Sequence, residues 1–141
     1  MVRRINRKPC RQSMKAMTLI ELLIVIVIIG LLASWAYPSY TAYVRSAHRQ
    51  QAQLDMQRIQ LALEQHYQQG YHLEAVMNGS HCLVCQSDPK YYQFSVTPAG
   101  SGYEIAAQPL SAQHLDTCDG ESYDRLTLNQ AGQATPRECW R

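Results

Sequence analysis

Residues 15–30 read KAMTLIELLIVIVIIG, and this stretch decides the fold. One acid, Glu21, stands inside an otherwise apolar run, and the 23 positions from Leu22 to Val44 hold no charged residue. As a helix they span about 35 Å at ~1.5 Å per residue, enough to cross a bilayer. A carboxylate near mid-bilayer costs about 2.5–3.5 kcal/mol and is by default functional. Something must offset that cost.

The segment before the run, MVRRINRKPCRQSMKA (1–16), holds six Lys and Arg and no acid. The positive-inside rule therefore places the N-terminus in the cytoplasm and residues after about 45 outside. A cleaved secretory signal is the competing reading, with small residues such as LLAS at its end. Glu21 and the unbroken passage into a long amphipathic pattern favour a retained anchor. Beyond residue 16, 7 Lys and Arg face 11 Asp and Glu, a net charge of −4. Nucleic-acid binding calls for a basic domain, so this balance weighs against it. A length of 141 residues suits one modest domain.

From Tyr40 to Gln69 there is neither Pro nor Gly, and Ala52, Met56, Ile59, Leu63 and Tyr67 recur at helical steps. The pattern predicts one helix over about 18–69, apolar on every side in its first half and amphipathic in its second. Gly70 is the expected C-cap, and Pro38 predicts a kink. Tyr37, Tyr40 and Tyr43 suit an aromatic belt at the membrane interface. Residues 70–90 read as a surface loop. YYQFSV (91–96), YEIAA (103–107) and RLTLNQAG (125–132) read as strands, with Tyr92, Phe94 and Val96 on one face. The fold class is α+β: a long N-terminal helix packed on a small antiparallel sheet.

Cys10 lies in the basic segment, whereas Cys82, Cys85, Cys118 and Cys139 lie in the exported part. Four cysteines in a small extracytoplasmic domain predict disulfides, and three pairings are open. HCLVC (81–85) also admits zinc, with His72 or His114, or a redox pair. Zinc wants a second ligand pair at matching spacing, and a redox pair wants a βαβ setting; the sequence offers neither. The five histidines have no metal spacing, and no nucleophile–base or paired-carboxylate pattern occurs. The expectation is no enzyme, no cofactor and no metal.

The junction A-MTLIELLIVIVIIGLLASWAYPSY resembles the N-terminus of the type IV pilin, or prepilin, family, and the likeness extends over residues 14–69. LTLNQAGQATPRECW, between Cys118 and Cys139, resembles the end of minor pilins of the PilE type. Thr18, Leu19, Ile20, Glu21, Leu22, Gly30 and Pro38 fall at family spacing. Ala16 stands where the family usually has Gly, and Met17 where Phe is common.

The resemblance implies a type IV pilin fold in three parts. Residues 1–16 are a leader that prepilin peptidase removes after Ala16, leaving Met17 to be N-methylated; Met14 offers a second start. Residues 17–44 are the transmembrane and assembly helix. Residues 45–141 are a periplasmic domain closed by the 118–139 region. The subunit waits in the inner membrane, N-terminus cytoplasmic, until the inner-membrane assembly platform moves it into an extracellular filament of other pilins.

Glu21 then meets the Met17 amine of a neighbour. The pair sets register more than it adds stability, since desolvation offsets the attraction. The bland alternative is that Glu21 snorkels to the headgroups. The simplest disulfide set is Cys118–Cys139 with Cys82–Cys85, which displays the C-terminal loop on the filament. The expected function is a structural minor pilin. Alternatives are a DNA-binding or adhesive pilin and a type II secretion pseudopilin, which usually carries a calcium site instead. Nucleic acid is not the favoured partner, though Lys90, Arg125, Arg137 and Arg141 offer a local patch.

Overall fold

A computed structural model describes residues 17–140, in two units that divide between Tyr37 and Pro38. The leader, with Cys10 and Ala16, lies outside the described residues, as does Arg141. Helix α1 spans Leu19–Gln65 and contains both Gly30 and Pro38. Its start is fixed by Thr18, whose Oγ1 accepts the Glu21 N–H at 3.3 Å while its carbonyl accepts the Leu22 N–H at 3.2 Å. Thr-x-x-Glu is the capping-box spacing. The apolar part of α1 is long enough to cross a membrane, and its side chains are exposed.

The expected end of the helix is corrected. The α-helical hydrogen bonds close with His66 N–H to Ala62 O; Tyr67 N–H then reaches only three residues back, to Glu64 O. The chain tightens there and turns out, with Gln69 rather than Gly70 in the left-handed region, at φ +59. Tyr67 therefore falls beyond the helix and is exposed, while Ala52, Met56, Ile59 and Leu63 are buried as their spacing predicts.

The segment 70–90 is more ordered than a plain loop. A 3₁₀ turn, Leu73–Ala75, leads into a short hairpin of β1 (Met77–Asn78) and β2 (His81–Cys82). Gly79, at φ +62, supplies the left-handed turn residue. The main sheet follows, with β3 (Tyr92–Ala99), β4 (Gly102–Pro109), β7 (Leu126–Asn129) and β8 (Ala134–Thr135) antiparallel in the order β3-β4-β7-β8. Between β4 and β7 lies a small hairpin of β5 (Thr117–Cys118) and β6 (Glu121–Ser122).

The β3–β4 turn is only Gly100–Ser101, so β3 runs on through Pro98. Pro is tolerated because β3 is an edge strand. Period-2 alternation sends Tyr92, Phe94, Tyr103, Ile105, Ala107, Leu126 and Leu128 to one face, where they share a core with the buried stripe of α1. Each large side chain buried there contributes about 1.5–3 kcal/mol.

Candidate functional site

At the N-terminal end, Met17, Leu19, Ile20, Glu21 and Leu22 are all exposed, so a single chain leaves this apolar surface uncovered. Glu21 lies in the first turn of α1, where the helix dipole favours an anion. Its backbone N–H is already used by Thr18. This capping role was legible in Thr18-x-x-Glu21 but was hidden behind the question of the charge.

In the globular unit two carboxylates fasten the loops to α1. Asp55 is wholly buried; it accepts the N–H groups of Gln86 (3.1 Å) and Ser87 (2.8 Å) and pairs with Arg58 at 2.6 Å. Burial pushes its carboxyl up, but the hydrogen bonds from Ser87, Gln86 and Arg58 outweigh burial and hold it below the usual carboxylate range. Asp116 pairs with Arg49 at 2.5 Å and accepts the Tyr123 hydroxyl at 2.7 Å. That hydroxyl meets the Tyr92 hydroxyl at 2.6 Å, and Gln113 Nε2 donates both to Tyr92 (3.0 Å) and to the Arg45 carbonyl (2.7 Å). Burial and then its neighbours Tyr92 and Asp116 push the Tyr123 phenol far up, so it stays a donor.

Cys82 is bonded to Cys85 and Cys118 to Cys139. HCLVC therefore lacks the free thiolates that zinc ligation requires.

The sheet topology decides where the exposed cations lie. Tyr92 pairs with Pro109, Ala107 with Leu126, and Thr127 with Thr135, so β3 and β7 begin at the same end of the sheet, where β4 and β8 finish. Lys90 precedes β3, Arg125 precedes β7 and Arg137 follows β8. All three emerge at that end, in a row about 14 Å across at ~4.8 Å per strand. The major groove of DNA is ~12 Å wide.

Lys90 is shared with Asp88 (2.7 Å) and lies over the Tyr91 ring, which stacks on His48 at 3.6 Å. Arg49 is engaged by Asp116, and Asp124 and Glu138 adjoin Arg125 and Arg137 in sequence. The opposite end, toward the Gly100–Ser101 turn, carries Glu64, bonded by Tyr71 and Tyr103, and Glu104. A net charge of −4 averages over this uneven distribution, and that average is what hid the row.

The capped apolar helix and the disulfide-closed α+β body, with a prokaryotic N-terminal methylation motif matched over residues 11–37, define a type IV pilin. Residues 38–122, more than half the chain, match the family described as type IV minor pilin ComP, DNA uptake sequence receptor, and the chain belongs to that family. As a pilin it is a membrane-anchored structural subunit that assembles with other pilins. Neither a curated protein nor a solved structure gives a significant match.

Proposed function

We propose that this chain is a minor pilin that receives DNA at the sheet end where Lys90, Arg125 and Arg137 emerge. The observation that carries the reading is their convergence at one end of the body, in a member of a family described as a DNA uptake sequence receptor. Phosphate contacts from such a row position the duplex, and contacts to base edges supply preference for sequence.

The anchor serves this function. Residues 1–16 are removed after Ala16, Met17 is methylated, and residues 17–44 hold the subunit first in the inner membrane and then in the filament. Glu21 pairs there with the Met17 amine of a neighbour. The body, residues 45–141, faces the periplasm and then the exterior.

The test is binding of duplex DNA to the full mature chain in detergent, by fluorescence anisotropy, between 50 and 200 mM salt. Log affinity is expected to fall linearly with log salt, and Arg125→Ala and Arg137→Ala each to reduce the slope by about one. Slopes unchanged in both variants would overturn this placement of the site.

A further inference from the structure

The edge of the sheet formed by β3 carries an inference that goes beyond DNA capture and does not depend on it. Leu110 N–H bonds to Tyr91 O at 2.8 Å, and Gln130 N–H to Tyr103 O at 3.1 Å. With the β3–β4 and β4–β7 registers, these bonds fix which backbone groups point which way. Tyr91, Gln93, Ser95 and Thr97 direct their backbone groups at β4. Tyr92, Phe94 and Val96 direct theirs away from it. No hydrogen bond from another described residue reaches the backbone N–H or C=O of these three.

Native sheets blunt such edges with charge, brevity or a cover. β3 is eight residues long and carries no Lys, Arg, Asp or Glu. Pro98 removes a donor only near its far end. Beside its first half lies a cleft of 420 Å³, lined by Cys82, Leu83 and Cys85 on one wall and by Tyr92, Phe94 and Leu110 on the other. The cleft thus has a strand edge on one side and the disulfide loop on the other.

We propose that the open edge of β3 is a docking site for one extended segment of a partner polypeptide, which joins the sheet as a further strand. Three outward pairs of N–H and C=O at two-residue spacing match the period of a strand. The loop wall leaves room for a single strand and not for a second sheet. Nucleic acid is the wrong occupant, because β3 and the cleft walls hold no Lys or Arg to meet phosphates.

The repeat at 92, 94 and 96 is also self-complementary. An antiparallel segment with the sequence of β3 places 92 opposite 96 and 94 opposite 94, which supplies a probe. The test is hydrogen–deuterium exchange on the full mature chain in detergent micelles, with a synthetic peptide of residues 91–97 added. Exchange at Tyr92, Phe94 and Val96 is expected to slow by about tenfold or more, while Gln93 and Ser95, already bonded to β4, stay unchanged.

A peptide N-methylated at its Phe94 position, which cannot donate there, is expected to give no protection. Val96→Pro, which removes an outward donor and spares the β4 ladder, is expected to weaken binding several-fold. Equal protection by both peptides, or none by either, would overturn the proposal. So would protection of these three amides by duplex DNA in place of the peptide. The N-methylated arm decides the matter even if Val96→Pro does not fold.

Discussion

The carboxylate of Asp55 lies on the buried face of α1, and its Oδ2 accepts the backbone N–H of Ser87 at 2.8 Å. It is a polar group inserted in an apolar stripe, and it fastens the disulfide loop to the helix from within. We predict that Asp55→Ala lowers stability by about 3 kcal/mol, since it strands the Gln86 and Ser87 N–H groups at ~1–3 kcal/mol each. Urea unfolding should show a lower midpoint at unchanged slope.

The same residue sets a dependence on pH. Its folded carboxyl lies below the ordinary value, so the unfolded chain binds the proton more readily. The stabilisation is complete above about pH 4, the unfolded value. It is lost as pH falls through the lower folded value. The drop in stability between neutral and acid pH should shrink in Asp55→Asn, measured by urea midpoints at each pH; an unchanged drop would exclude Asp55 as its source.

Arg49 and Asp116 are nearly removed from water, with side chains 14% and 5% exposed. Arg49→Ala leaves Asp116 buried with only Tyr123 to answer it, and is expected to cost about 3–5 kcal/mol. Arg49→Met with Asp116→Leu should recover most of the loss. A double-mutant cycle over the four proteins measures the coupling, and purely additive effects would show that the pair is incidental.

The two disulfides are expected to differ in weight. Cys118–Cys139 has a sequence separation of 21 and both cysteines are buried, whereas Cys82–Cys85 has a separation of 3 and is half-exposed. Chain entropy assigns the longer closure about 3 kcal/mol and the shorter about 2, before packing is counted. Cys118→Ser should therefore lower the melting temperature and the exported level more than Cys82→Ser does. The reverse order, in a thermal melt and an immunoblot of the exported fraction, would refute the assignment.

Glu21 and Thr18 separate helix capping from filament assembly. Thr18→Val removes the cap at a cost of about 1 kcal/mol but leaves the carboxylate. Glu21→Leu removes the charge and leaves the Thr18 oxygen to cap the same N–H. If Glu21 meets a neighbour's amine, Glu21→Leu should be abundant in the membrane yet poorly recovered in sheared filaments, while Thr18→Val assembles nearly as well as wild type. The ratio of sheared to membrane-bound protein, by immunoblot, decides between them.

The apolar run, the stripe at 52, 56, 59 and 63, and the strand alternation were legible because each obeys a local period. The helix end was not: Gly70 looked like the cap, but the packed body ends the α-helical bonds at Ala62 and His66. Asp55 was invisible as a fastening, since its donors come from residues 31 and 32 places along the chain. The row of Lys90, Arg125 and Arg137 could be guessed only as a loose patch, because strand order and register bring it together.

The Cys118–Cys139 bond encloses the β5–β6 hairpin, the inner strand β7 and the edge strand β8. The exposed tip of that hairpin, Asp119–Ser122, is the kind of place where proteases cut. A cut there would not release the C-terminal portion. The two fragments would stay joined through sulfur and run as one band until a reductant parts them, so a clipped subunit still presents Arg125 and Arg137 on an otherwise whole fibre.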